Sequence, residues 1–432
     1  MRFRPILGAF FIFIWAGCGP SSCSNARQPA PQSPNPTPAI TPPSAPLPAV
    51  AAVVTPQERQ LYLDAARTSW NFVNRITEPT TGLARAHATY SYVTLWDVAG
   101  VIAANYTAHE LGFINDATYD SHIQRILATL STVDLFDRAA FNRIYDAKTG
   151  RMVDNASRIS SIGAGWSSVD IGRLLIWLRV LAVKQPKYAP LASQIVRRLD
   201  MSKLLSGGYL QGVDLNPKTG RRQTFIENEI GYQQYALSGF AMWGAGINAA
   251  GLDVRSNVTA VDVLGVRLLI GQGNTRVMSE PFIMLGLETG YRSPDLARQA
   301  AQVLAAQAAR YQRTGIMTAV TEDALPDPPD YFYYYSVYHH GKTFVVENAA
   351  DVIVDRPRWV SSKAAFGWNA VLPNAYTQLL LKTVQPAGTP NGWGSGVYEQ
   401  TYKPTGAPSL NTAALIMESA LYKIRGRPIL AN

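Results

Sequence analysis

Carboxylates set beside aromatic rings are the residues in this sequence best fitted to chemistry. Trp96-Asp97, Trp166 with Asp170 four residues on, Ser279-Glu280-Pro281, Glu322-Asp323, Tyr398-Glu399 and the stretch TFIENEIGYQQYALSG over 224–239 supply the carboxylates, and aromatics accompany most of them. Further rings, Tyr331 to Tyr335 (Tyr333 at their centre), Trp368 and Trp393, accompany them. Such a set suits carbohydrate: the CH faces of a sugar stack on aromatic rings, while carboxylates bind hydroxyls or transfer protons. A helix starting near Asn228 puts Glu229 in its first turn, where it complements the dipole, and leaves Glu227 on the entering loop. Half-buried among Phe225 and Tyr232, a Glu227 carboxyl has its pKa raised, as a general acid requires.

Each group also has a purely structural role open to it. Thr94-x-x-Asp97 and Ser167-x-x-Asp170 fit capping boxes with Asp at the third helical position. Glu280 ahead of Pro281 fits a helix start. The run YFYYYSVY suits a core-facing surface as well as a ligand face, and Asp327 and Asp330 belong to a DPPD turn.

Other chemistries are poorly provided for. The two cysteines, Cys18 and Cys23, precede the folded region, so it has no disulfide, thiolate nucleophile or cysteine metal site. None of the five histidines forms an HExxH pattern. His339 and His340, if in a strand, point to opposite faces and chelate poorly. No metal and no cofactor is expected. The 39 basic against 30 acidic residues are scattered, without the footprint of a nucleic-acid binder.

The elements that must position these groups are mostly helical. MRFRPILGAFFIFIWAGC has the layout of a secretion signal over 1–17, and Ala16-Gly17-Cys18 looks like a lipoprotein processing box with Cys18 as the lipidated residue. A tether rich in proline and alanine follows over 18–54, then one domain over 55–432. Thr55-Pro56-Gln57-Glu58 opens a helix to about Ile76. Further helices are expected from Thr94 to Gly112, after Asn115, from Ser167, and over 230–248, 281–288, 294–313, 362–383 and 410–424. Two regions, 207–226 and 316–346, read as β-like. Without strand–helix alternation, the pattern implies an all-α ring of helical hairpins with long loops and small β-hairpin insertions.

The ordered set LWDVAGVIAANYTAHELGFI, GWSSVDIGRLL, ENEIGYQQYAL, SEPFIMLGLETG, RTGIMTAVTEDAL, SSKAAFGWNAVLPNAY, GWGSGVYEQT and NTAALIMESALY resembles a bacterial envelope family with a domain of unknown function. That family is distantly similar to (α/α)6-barrel endo-β-1,2-glucanases and to the cyclising domain of cyclic β-1,2-glucan synthases. The resemblance implies an (α/α)6 barrel acting on β-glucan in the periplasm by an inverting acid/base mechanism. It matches Glu227 to the glucanases' acid and Val169-Asp170 to their VD motif. Asn228-Glu229-Ile230 replaces the usual Gly-Arg-Leu. Asp97, Asp170, Glu280 and Asp323 form the pool for the base and for sugar binding. Trp96, Trp166, Glu229, Tyr232, Tyr333, Trp368, Trp393 and Glu399 are candidate binding residues. A glycan-binding or structural envelope lipoprotein on the same scaffold is the alternative.

Overall fold

The computed structural model describes residues 54–431 except 217, 218, 329, 355–357 and 407. The signal segment, Cys18 and the tether up to residue 53 lie outside the described residues. Within them, no helix is long and apolar enough to cross a membrane.

Twelve α-helices occur among the described residues: α1 (Pro56–Ile76), α2 (Leu95–Glu110), α3 (Asp116–Thr132), α4 (Ser168–Lys184), α5 (Ala189–Arg197), α6 (Met201–Leu204), α7 (Tyr232–Met242), α8 (Glu280–Met284), α9 (Pro294–Thr314), α10 (Ser362–Val371), α11 (Ala375–Val384) and α12 (Leu410–Arg425). Their sequences sort them into two kinds. In α2 every residue from Leu95 to Ala108 is buried, and in α10 all ten are. A helix apolar on all sides must be surrounded. By contrast α3 buries only Tyr119, Ile123, Ile126, Leu127 and Leu130, one stripe at helical spacing.

The surrounded helices form a closed ring. α12 packs on α2, α2 on α4, α4 on α7, α7 on α8, α8 on α10, and α10 on α12 again. The striped helices lie outside: α1 on α12 and α2, α3 on α2 and α5, α5 on α4, and α11 on α10. Small residues permit the closest approach. A Cβ on Gly172 of α4 would stand 2.5 Å from Ala236 Cβ of α7.

Strand content exceeds what an all-α chain with small insertions implies, which corrects that expectation. The β-like regions become a four-stranded sheet, built on Tyr209–Leu215 and Arg222–Ile226, and a three-stranded sheet of Glu322–Ala324, Phe332–His339 and Lys342–Asn348. A further hairpin, Val258–Val263 with Val266–Gly271, was not anticipated, although VTAVDV alternates in the required way. The helix expected over 362–383 breaks between α10 and α11. Pro373 has no N–H to offer and pushes Leu372 out of helical geometry, to φ −135° and ψ 63°.

Candidate active site

The first two turns of all six ring helices send polar side chains or rings to one place. α2 supplies Trp96 and Asp97, α4 Asp170 and Arg173, α7 Tyr232, α8 Glu280, α10 Lys363 and α12 Asn411. Asn411 is the hub. Its Oδ1 accepts from Trp96 Nε1 and from Arg173, each at 3.3 Å, and its amide donates to Glu280 Oε1 at 2.9 Å. Lys363 Nζ closes on the other oxygen of Glu280 and lies 3.8 Å from Asp323. Trp96 meets Tyr232 edge to face at 5.6 Å and carries the Arg173 guanidinium over its ring at 4.5 Å. Six helix N-termini facing one point favour negative charge there.

The two aspartates cap their helices as expected. Asp97 N–H donates to Thr94 Oγ1 and Asp170 N–H to Ser167 Oγ, both at 3.1 Å. They also face the cluster. Burial lifts each to a pKa of about 6, against the pull of Thr94 and Arg173 on Asp97 and of Arg143 and Ser167 on Asp170. One oxygen of Asp97 is buried without a hydrogen bond.

Glu227 follows the strand Arg222–Ile226 and reaches across to α4. Its carboxylate accepts from Ser167 Oγ at 2.7 Å, from Ser168 N at 2.6 Å and from Val169 N at 3.2 Å. Burial raises its pKa to about 7 despite those bonds, and neighbouring Asp170 adds to the rise. Glu229 is not in the first turn of a helix, which corrects the dipole reading. α7 begins at Tyr232, after Gly231 with φ 89°. Glu229 instead pairs with Arg276 at 3.3 Å, its other oxygen has no bond, and burial lifts it to about 7.

Alternation along the strands separates residues that are adjacent in sequence. Asp323 pairs with Tyr333 and Glu322 with Tyr334 in the antiparallel ladder. Asp323 and Tyr333 point inward: Asp323 accepts from Thr321 at 2.7 Å and Trp359 Nε1 at 2.8 Å, and the Tyr333 hydroxyl donates to Asp327 O at 2.7 Å. Glu322 and Tyr334, both half-buried, belong to the cluster. The Glu322 carboxyl makes no hydrogen bond to the described residues. Burial holds its pKa well above the usual range, and Glu280, Glu229 and Asp170 push it further against Lys363. Glu322 and Tyr334 were named in the sequence only as parts of their runs. The period of two was the signal that could have singled them out.

Four other expected residues are absorbed into the interior and stand apart from the cluster. Trp368 is fully buried in α10, and Trp393 packs edge to face on Phe366. Glu399 spends both oxygens on Arg310, at 2.7 and 2.9 Å, with Tyr335 hydroxyl on one of them. Trp166 is buried with its N–H on Gln211 O at 2.8 Å. The rings left at the cluster are Trp96, Tyr232 and Tyr334. A recess of about 170 Å³ lined by Tyr209, Ile226, Asn228, Gln233 and Ser256 adjoins the Glu227 segment and has no carboxylate or basic group in its lining.

The assumption about the histidine pair also fails. His339 ends its strand but His340 sits in a turn at φ 47°, so the two rings lie together, centroids 3.8 Å apart, instead of on opposite faces. With Asp351 they are a set of groups placed closely enough to share a metal ion.

Solved structures share this fold at low identity. A protein provisionally described as a glucoamylase, from Bacteroides caccae, superposes with a TM-score of 0.63 at 16% identity, covering 85% of this chain and 94% of that one. The endo-β-1,2-glucanase of Chitinophaga pinensis, solved with sophorotriose and glucose, gives 0.58 at 12% identity, covering 84% and 94%. That of Talaromyces funiculosus, solved with sophorose, gives 0.58 at 10% identity, covering 85% of each. No curated protein matches the sequence. The model of one family matches residues 64–426, and the chain therefore belongs to that family, whose description is protein of unknown function DUF3131.

Proposed function

We propose that this protein is a glycoside hydrolase cleaving β-glucan, β-1,2-linked glucan being the first substrate to test, on an (α/α)6 barrel. One observation carries the reading: Glu322 is a half-buried carboxyl that makes no hydrogen bond to the described residues, and burial, with Glu280, Glu229 and Asp170 around it, raises its pKa well above the usual range. A neutral carboxyl beside aromatic rings is what protonation of a leaving group requires. Glu322 then gives its proton to the glycosidic oxygen as the C1–O bond breaks. Asp170 takes a proton from the water whose oxygen bonds C1, and Trp96, Tyr232 and Tyr334 stack on the sugar. Glu227 grips the turn Ser167–Val169 and so positions Asp170.

A second reading makes Glu227 the donor. Its pKa of about 7 favours this, since a general acid works best near the operating pH, and the resemblance to the glucanases points the same way. Replacement by glutamine separates the two. The donor variant loses about 10²–10⁴-fold in kcat on glucan but keeps most turnover on a glycosyl fluoride, whose departure needs little protonation. We expect that pattern for Glu322→Gln. If Glu322→Gln cleaves glucan as wild type does, the assignment fails. If wild type binds glucans and cleaves none, the chain is a glycan-binding protein on this scaffold.

The same reading places the domain over 55–432 in the bacterial envelope, probing glucan on the periplasmic side from a lipid on Cys18 at the outer membrane. Cys18→Ser should release soluble protein or leave unprocessed precursor. Limited proteolysis should remove the tether and then stop.

A further inference from the structure

We infer that His339, His340 and Asp351 form a binding site for one divalent transition-metal ion of the zinc type. Asp351 holds the pair together: its Oδ1 lies 2.8 Å from His339 Nε2 and its Oδ2 3.1 Å from His340 Nε2. The three donor atoms lie within 4.8 Å of one another. Two imidazoles and one carboxylate, with a water in the fourth position, are a common tetrahedral set for zinc.

The backbone is bent to make this set. His340 and Gly341, at φ 47° and 77°, are the two turn residues between the strands Phe332–His339 and Lys342–Asn348. Such a turn needs left-handed residues at both positions, and Asn or Gly fills them most readily. A histidine there is disfavoured, yet it turns the second ring alongside the first. Asp351 is left-handed as well, at φ 60°, in a loop folded over Asn348. Two of three candidate ligands are thus non-glycine residues in a costly conformation, a recurrent property of functional sites.

The surroundings complete the case. Thr275 Oγ1 bonds His339 Nδ1 at 3.1 Å and accepts the His340 N–H at 3.1 Å, which orients the first ring with Nε2 toward the shared point. Arg276 donates to Asp351 Oδ1 at 2.6 Å, leaving Oδ2 for the ion. Because Arg276 also holds Glu347 at 3.0 Å and Glu229 at 3.3 Å, its positive charge is shared among three carboxylates. His339 is buried and His340 side chain half exposed, so an ion and a water ligand have a way in.

Calorimetric titration of the chelator-treated mature chain, without a histidine tag, with zinc tests this. One ion per chain should bind and raise the thermal midpoint, while magnesium, which prefers oxygen ligands, leaves it unchanged. His340→Gln, at an exposed turn, should fold normally and weaken zinc binding more than tenfold. Thr275→Val should weaken it about 10–100-fold by freeing the His339 ring. Absence of one-to-one binding, or wild-type affinity in His340→Gln, overturns the site. Neither result depends on glucan hydrolysis.

Discussion

Glu322 and Glu288 are both carboxyls whose pKa burial raises, and they differ in what their oxygens have left to do. Glu288 lies deeper, after α8, with Oε1 on Trp177 Nε1 at 3.0 Å and Oε2 on the Tyr235 hydroxyl at 2.6 Å. Its neighbour Glu418 of α12 pairs with Arg173 at 3.3 Å. Every one of these groups is fully buried. Glu322 is raised by burial too, and by the carboxylates Glu280, Glu229 and Asp170 as well, but it has half-open surroundings and no hydrogen bond to the described residues. Arg173 runs between the two levels, one nitrogen on Asn411 and the other on Glu418. A raised pKa therefore does not mark a reactive carboxyl; unspent valence and a route for a ligand do.

Four measurements test that contrast. Glu322→Gln should cut kcat on glucan about 10²–10⁴-fold and leave the denaturation midpoint where it was. A large loss of stability would place Glu322 with Glu288. Glu418→Ala, which leaves Arg173 buried without its carboxylate partner, should cost roughly 3–5 kcal/mol by denaturant unfolding. If it stays as stable as wild type, the deep group is not structural. Gly172→Ala forces α4 and α7 apart and should cost about 1–3 kcal/mol, with turnover falling only as far as the ring shifts.

The smallest effect is the pH dependence of stability. Asp97 and Asp170, at about 6, and Glu227, Glu229 and Glu347, at about 7, hold protons more tightly folded than unfolded. Their stabilisation is complete below the unfolded values and is lost as pH rises toward 7. Asp351, lowered to about 2 against burial by His339 and Arg276, works in the opposite sense and only in acid. Thermal midpoints should thus peak at mildly acidic pH, roughly 4–5, and decline toward 8. Glu229→Gln should flatten the decline; an unchanged slope would mean that Glu229 keeps an ordinary pKa.

What could be read from the sequence was local. Thr55, Thr94 and Ser167 each cap a helix through a bond to the residue three places on, so spacing alone revealed them. The ring helices were visible as long apolar runs. The missing parts depend on distance or on backbone hand. Ser167 and Glu227 meet over a separation of 60 residues, which no window of sequence spans. Glu229 was misread because Gly231 delays the helix by a few residues, and that frees its side chain for Arg276. His340 was misread because a strand was assumed to continue where the chain turns left-handed. Choosing Glu322 over Asp323 needed the face of the strand, and only the ladder with Tyr333 and Tyr334 supplies it.

The grip of Glu227 on the start of α4 has a kinetic consequence. Its three bonds join segments 58 to 60 residues apart, so they form only when the strand hairpin docks on the start of α4, which we expect to come late. Contacts that close late are absent from the folding transition state, and losing them quickens unfolding while leaving refolding nearly untouched. Stopped-flow measurements on Glu227→Gln should show the unfolding arm of the chevron raised and the refolding arm in place. The turn that presents Asp170 would then be among the first parts of the molecule to open, well before the ring beneath it.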